Sequence, residues 1–140
     1  MRYLSTLSLA LIVLMALACS SGREEAEAAF NQGLLFYGSQ DYSTAILSYD
    51  NAIRFDSNYA LAYHARGKTW YQLRQYQRAI QDYDKAIQLG FTEASAYINR
   101  AWAWYKLGKR DMYLKDLAKA CEIDSPKMRS VLAGWPDKCD

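Results

Sequence analysis

The sequence predicts an all-α fold, an α-α superhelix of three stacked helical hairpins with a short C-terminal capping helix. The first observation is a period of 34 residues, which carries Gly33 to Gly67 and Ala101. The second is that apolar residues within each period follow the 3.6-residue turn of a helix. The third is a short polar break that divides each period into two helices. A fixed period of this length indicates a stacked array of repeats.

Each repeat pairs a first helix that carries a small residue with a second helix that carries a large one. In the second repeat, Tyr63, Gly67 and Trp70 share one face of the first helix, and Tyr83 lies on the helix that follows the break at 74–75. A small residue lets two helix axes approach closely, and the aromatic ring fills the space beside it. The three repeats are assigned to residues 26–59, 60–93 and 94–127.

This pattern resembles the tetratricopeptide repeat family. The second repeat carries the family's residues at Tyr63, Gly67, Trp70, Tyr71, Tyr76, Ala79, Tyr83 and Ala86. The third repeat has Ala101 in the glycine slot and Tyr113 in an alanine slot, so we expect its hairpin to pack more loosely. The resemblance implies that the first helices line a concave groove, which in family members binds a peptide or a partner helix.

The beginning of the chain is typical of a signal peptide. Arg2 gives a positive start, and the residues up to Ala18 are apolar apart from Ser and Thr. Two processing outcomes remain open. The end of this segment suits an ordinary signal peptidase, whereas Cys19 after small residues resembles a bacterial lipoprotein box. We favour the second outcome, which predicts a signal peptide over 1–18 and a lipidated Cys19 that opens a tether over 19–25.

Lipid on Cys19 predicts a location as well as a modification. Acyl chains would hold the chain at a membrane without any spanning segment. By resemblance to such lipoproteins, it would face the periplasm, with the outer membrane favoured by Ser20, or lie at the cell surface of a single-membrane bacterium. The expected partner is therefore another envelope protein or peptide.

The other two cysteines, Cys121 and Cys139, can form a disulfide bridge in an exported, oxidising setting. Cys121 also occupies the slot of Ile53 and Ile87, so it could instead be a small buried apolar residue. We favour the bridge. It would hold residues 128–140 as a cap and tail over the open end of the last hairpin.

Two acidic residues are predicted to pair with arginines of the first helices. Arg66 occurs with Asp82, and the equivalent slots of the next repeat hold Arg100 and Asp116. An arginine near the packing face needs a partner of opposite charge, because an unpaired buried charge is costly. We therefore expect two structural ion pairs between helices.

A second stripe on the first helices, about 100° from the packing stripe, has no evident role in the core. It predicts a partner-binding groove with polar contacts from Lys68, Asn99 and Lys106. Its other members are Phe30, Leu34, Tyr37, His64, Tyr71, Ile98, Trp102 and Tyr105. An exposed row of aromatic and apolar side chains is typical of a protein interface. Self-association into a homodimer and glycan or cell-wall binding are the alternatives.

Composition argues against other functions. The 17 Lys and Arg residues against 15 Asp and Glu give a net charge of +2, so nucleic acid is not an expected partner. His64 is the only histidine, and no cluster has metal-ligand spacing, so we expect no metal, no cofactor beyond the lipid, and no catalysis. Family members that grip a peptide's terminal carboxylate use basic residues and Asn in slots that here hold Phe30, Leu34, Ala65, Ser95 and Asn99. A receptor for chaperone tails is therefore disfavoured.

Overall fold

A computed structural model describes residues 22–124, which fold into three helical hairpins. The helices are α1 (22–38), α2 (Tyr42–Phe55), α3 (Ala60–Gln72), α4 (Tyr76–Gln88), α5 (Ala94–Lys106) and α6 (Arg110–Ile123). Each odd-numbered helix packs against the next even-numbered one, while α2 also contacts α3 and α4 contacts α5. The all-α superhelix that the sequence predicts is confirmed. Contact between α3 and α5 places the first helices of neighbouring repeats side by side.

The first helix begins earlier than the sequence analysis predicted. Residues 22–25, which were assigned to a tether, are helical. Glu24, Glu25 and Ala26 are good helix formers, and Ala26 is only 1% exposed, so this end of α1 is held by packing. The part of the predicted tether over 22–25 is therefore the first turn of α1.

The turn inside each of the three hairpins has the same backbone conformation. Gln40, Arg74 and Gly108 occupy equivalent slots, and all have a positive φ, of 64°, 60° and 71°. The residue after each turn closes a hydrogen bond to a carbonyl five residues back, as Gln75 N–H does to the Trp70 oxygen at 2.9 Å. This left-handed closing turn ends the first helix and reverses the chain. Only the third repeat uses glycine, the residue that adopts this conformation without strain.

The predicted small-against-large packing is present in the cores of the hairpins. Tyr49 and Tyr83 are each only 1% exposed. A Cβ atom added to Gly67 would lie 2.8 Å from Cε1 of Tyr83, and one added to Gly33 would overlap the ring of Tyr49. Glycine is required at both positions because the tyrosine ring lies directly against the helix backbone.

In the third hairpin, α5 packs against α6 through different residues. Ala101 replaces the glycine and is fully buried, and the tyrosine slot holds the smaller Leu117. Tyr113, in a slot that is alanine in the other repeats, is only 1% exposed. The two larger residues, Ala101 and Tyr113, are accommodated beside the smaller Leu117, and all three are at most 4% exposed, so the expectation of loose packing is wrong.

Both predicted ion pairs are present, and each is part of a larger bridge. Arg66 Nε lies 2.8 Å from Asp82 Oδ2, and its Nη2 lies 2.6 Å from Asp82 Oδ1. Its Nη1 also donates to Asp50 Oδ1 at 2.5 Å. Arg100 repeats the arrangement with Asp116 and Asp84. Each arginine therefore joins its own hairpin to the second helix of the preceding one.

Burial and pairing act in opposite directions on these charges. Burial disfavours the charged form of Arg66, but its hydrogen bonds to Asp82 and Asp50 outweigh this and raise its pKa. Burial raises the pKa of Asp82, and the Arg66 guanidinium offsets part of that rise. Each buried charge is therefore tolerated because its partner is present.

Cys121 is disulfide-bonded. The predicted partner, Cys139, lies outside the described residues, so the pairing between them stays a prediction. The signal peptide, the lipidated Cys19 and the 128–140 cap also lie outside the described residues. No helix within residues 22–124 is long and apolar enough to cross a bilayer.

Candidate functional site

The first helices of all three hairpins contribute to one cavity. Its volume is about 130 Å³. The lining residues come from α1, α3, α4 and α5: Tyr37, Lys68, Tyr71, Gln72, Tyr83, Asn99 and Trp102. We call this cavity the groove pocket. Five of its residues belong to the predicted stripe, and Gln72 and Tyr83 were missed. Gln72 could have been found from the sequence, because it occupies the same slot as Lys106.

Polar contacts join the first and second repeats across the groove pocket. Lys68 Nζ lies 5.4 Å from the centre of the Tyr37 ring, a distance at which a cation is attracted to the ring face. Gln72 Nε2 donates to the Tyr37 hydroxyl at 3.3 Å. Lys68 is the one charged side chain among the described lining residues. The pocket therefore has aromatic walls and a single positive charge.

An aromatic cluster surrounds Trp102 in the third repeat. The ring of Trp102 lies 5.9 Å from that of Tyr105 and 5.8 Å from that of Tyr113, and the two tyrosine rings are 5.4 Å apart. Tyr113 comes from α6 and stands where the other repeats have alanine. Tyr113 is buried and Tyr105 lies outside the pocket lining, so Trp102 is the member of this cluster that lines the groove pocket.

Three members of the predicted stripe do not lie in the groove. Phe30, His64 and Ile98 occupy equivalent slots and are only 7%, 7% and 8% exposed. The connection that follows each hairpin explains two of them: Phe30 lies 5.2 Å from the Tyr59 ring, and His64 lies 4.5 Å from the Phe91 ring. The prediction that this slot is exposed is wrong, because these connections cover it.

The remaining predicted residues lie on the surface. Leu34 is 45% exposed and Tyr105 is 44% exposed, and Lys106 is exposed as well. They are outside the lining of the groove pocket. A second cavity, of about 480 Å³, lies near the start of α4, shares no residue with the groove pocket, and is lined mainly by Arg and Gln side chains. Within residues 22–124, no three His, Cys, Asp or Glu side chains could hold a metal ion.

His64 connects the core to the groove pocket. Its Nε2 atom lies 3.0 Å from Nδ2 of Asn99, which is the equivalent of Ala65 in the next repeat and lines the pocket. Burial, and to a lesser extent the positive charge of Lys68, lower the pKa of His64 to about 4. The imidazole is therefore neutral near pH 7.

We expect acid to destabilise the fold through His64. Its folded pKa of about 4 lies below the ordinary value of 6.5, so the unfolded chain binds the proton more readily. The stabilisation is complete above pH 6.5 and is lost as the pH falls towards 4, with about 2 kcal/mol gone at pH 5. Urea unfolding at pH 7.5 and pH 5, compared between the native chain and His64→Gln, measures this loss. An equal pH dependence in both proteins would contradict it.

Comparisons with known proteins identify the repeats. A tetratricopeptide repeat model described as "TPR repeat" matches residues 33–74, and a second, "Tetratricopeptide repeat", matches residues 60–90. No curated protein is significantly similar to the chain in sequence.

Solved structures share the fold. The chain is 23% identical to the Arabidopsis OM64 TPR domain, with a TM-score of 0.76 over 80% of this chain and 93% of that one. It is 21% identical to the first TPR of Spaghetti (RPAP3) bound to the HSP90 peptide SRMEEVD, with a TM-score of 0.72 over 80% of this chain and 96% of that one. It is 25% identical to the TPR2B domain of yeast Sti1 in complex with pHsp70, with a TM-score of 0.71 over 79% of this chain and 88% of that one. The chain therefore carries tetratricopeptide repeats over residues 33–90, and its superhelix is shared with solved TPR domains.

Proposed function

We propose that this chain is an exported, lipid-anchored adaptor that binds a partner protein or peptide through its concave groove, in the assembly or regulation of an envelope complex. The observation that carries the proposal is the groove pocket, which takes residues from all three repeats and has partly exposed aromatic walls at Tyr37, Tyr71 and Trp102. Such walls can bury an apolar side chain of a partner, and aromatic residues dominate binding energy at interfaces.

The first TPR of Spaghetti is bound to an HSP90 peptide and the TPR2B domain of Sti1 is in complex with pHsp70, which supports a protein or peptide partner here. The partner's chemistry differs from theirs in one respect. The slots that grip a terminal carboxylate in family members hold Phe30 and Leu34 in the first repeat, and Phe30 is buried. We therefore propose an internal peptide segment with an apolar side chain, rather than a chain end, as the bound element.

The groove can be tested without knowing the natural partner. Peptides selected at pH 7.5 from a random dodecapeptide display library on the native full chain provide a probe. Replacing Tyr71 and Trp102 together by Ala should weaken binding of the selected peptides by about a hundredfold, because two interface aromatics are removed. Leu47→Ala, at an exposed residue on α2, is the matched control and should leave binding unchanged. Unaltered affinity in the double variant, with an unaltered melting temperature, would reject the groove as the binding face.

Anchoring and export rest on the sequence alone and have their own test. Cys19→Ser removes the thiol to which lipid would attach, so the variant should move from the membrane fraction to the soluble fraction of the envelope. Mass spectrometry of the native chain should show an acylated amino terminus at Cys19. An unmodified amino terminus at or after Cys19 would rule out the lipid anchor and leave export without anchoring.

A further inference from the structure

We propose that the second cavity, near the start of α4, docks an acidic segment of a partner protein. Its volume is about 480 Å³, and two arginines, three glutamines, Tyr76 and Leu107 line it. None of these residues lines the groove pocket, so the two surfaces are separate. The second cavity therefore adds a contact of a different chemistry to the apolar one proposed for the groove.

The lining of the second cavity is positively charged. Among the residues that the structure describes, it includes Arg74 and Arg78, both exposed, and no Asp or Glu. The sequence has no acidic residue from 57 to 81 or from 94 to 110, the stretches that provide α3, its turn into α4, and α5. Lys106 and Lys109, which flank Leu107 along the chain, are also exposed. This edge of the second and third hairpins therefore attracts negative charge.

The two arginines of the lining have no ionic partner within residues 22–124. Neither makes a side-chain hydrogen bond or a salt bridge there, whereas Arg66 and Arg100 are each bound by two aspartates. The guanidinium of Arg78 lies 4.8 Å from the centre of the Trp70 ring, a contact that holds the charge without a hydrogen-bond acceptor. Both guanidinium groups can therefore bind a carboxylate, for which their planar fork is suited.

The turn between α3 and α4 does not require either arginine. Arg74 has a φ of 60°, and Gln40 and Gly108 occupy its slot in the other repeats with φ values of 64° and 71°. Arg78 has Met112 as its equivalent in the third repeat. The same turn forms with uncharged residues at both slots, so folding does not account for the two charges.

An acidic peptide segment matches the whole lining, whereas a free phosphate or a lipid headgroup matches only the arginines. Carboxylates complement the two positive charges. The glutamine amides can both donate and accept, as a peptide main chain also does. Leu107, which is 37% exposed, and the partly buried Tyr76 add apolar surface that an adjoining side chain can cover. The occupant that uses all of these groups is a protein segment with several Asp or Glu residues around an apolar one.

NMR titration of the full chain with one defined probe tests the proposal. The probe is a nonapeptide with Leu at its centre and Glu at every other position, acetylated and amidated so that its ends carry no charge. At low ionic strength it should shift the backbone amide of Leu107 and the Nε resonances of Arg74 and Arg78. It should leave Asn99 and Trp102 of the groove pocket unchanged. Shifts confined to the groove pocket, or no shifts at all, would overturn the proposal.

Residues borrowed from the other repeats give a variant that should keep the fold. Arg74→Gln introduces the residue of the first repeat and Arg78→Met that of the third. The double variant should bind the probe about tenfold more weakly, because two arginine–carboxylate pairs are lost. Arg54→Gln with Lys85→Gln is the matched control, since it removes the same charge from the last turns of α2 and α4. The control should change the affinity by less than about twofold, and equal weakening in both variants would refute a specific site.

Changes to the probe test the site without altering the protein. The same nonapeptide with Gln in place of every Glu should bind at least about tenfold more weakly, and about 0.2 M salt should weaken binding of the acidic probe. Equal affinity of the Gln and Glu peptides would overturn the proposal. Phosphatidylglycerol vesicles provide the lipid comparison. Binding to these vesicles that depends on the two arginines, without binding of the acidic probe, would assign the site to a lipid surface and also overturn the proposal.

The outcome is distinguishable from that of the proposed groove function. Trp102→Ala should leave the affinity for the acidic probe unchanged, because Trp102 lines the groove pocket and not the second cavity. If Trp102→Ala abolishes binding of the probe, the probe occupies the groove and the second site is refuted. A second cavity that binds the probe while no peptide requires Tyr71 and Trp102 would instead refute the groove function and support this proposal.

Discussion

Replacing Arg66 by Ala is expected to lower the free energy of unfolding by about 3–5 kcal/mol, the largest effect of any single substitution considered for this chain. The Arg66 side chain is only 20% exposed and that of Asp82 only 8%. Removing the arginine leaves the Asp82 carboxylate buried without its counter-ion, and it also removes the bridge to Asp50 on the preceding hairpin. The first consequence weakens the second hairpin itself, and the second weakens its contact with the preceding hairpin.

Urea unfolding of Arg66→Ala at pH 7.5 measures this effect, and Arg78→Ala is the control. Arg78 is exposed and lies over the Trp70 ring at 4.8 Å, so its loss should cost about 1 kcal/mol or less. Asp50→Ala should also cost little, because the Asp50 side chain is 46% exposed and Arg66 keeps its partner Asp82. If Arg66→Ala costs no more than Arg78→Ala, the bridge does not hold the repeats together.

Replacing Gly33 and Gly67 together by Ala is expected to cost about 4 kcal/mol. At each site the added Cβ meets a buried tyrosine ring, with 2.8 Å to Tyr83 Cε1 in the second hairpin. Overpacking of this kind costs about 3 kcal/mol, of which about 1 kcal/mol is returned by the better helix propensity of Ala. The two sites lie in different hairpins, so their net costs of about 2 kcal/mol each should add.

The third hairpin supplies the matched rescue. It pairs Ala101 with Leu117 where the second pairs Gly67 with Tyr83. The variant that combines Gly67→Ala with Tyr83→Leu should therefore lose less free energy of unfolding than the two single variants lose in sum. The difference should be about 1–2 kcal/mol. Strictly additive single effects would show that the small and large residues are not compensating for each other.

The repeat architecture could be predicted from the sequence because it depends on local rules that recur. The period of 34 residues predicted the hairpins, and its repeated Arg and Asp slots predicted both ion pairs correctly. The second acidic partner was missed although Asp50 lies as far before Arg66 as Asp82 lies after it. Helical spacing pairs residues within a hairpin, whereas the Asp50 contact depends on how neighbouring hairpins stack.

Only part of the groove could be predicted from the sequence, for a related reason. A stripe at the correct angle on the first helices includes both pocket residues, such as Tyr71, and buried ones, such as His64. The difference is made by the connection after the hairpin, where Phe91 stands in the slot that the family usually gives to proline and packs on His64. Helix geometry alone carries no information about where such a connection runs.

Photo-crosslinking from either of two glutamine positions tests whether a partner peptide binds in the groove pocket. Gln72 lines the groove pocket, and Gln81 borders the larger cavity near the start of α4; both are exposed. A photoreactive residue placed at one position or the other reports which surface a selected peptide occupies. Binding in the groove pocket predicts a peptide adduct at position 72 and none at position 81. An adduct at 81 with none at 72 would contradict it.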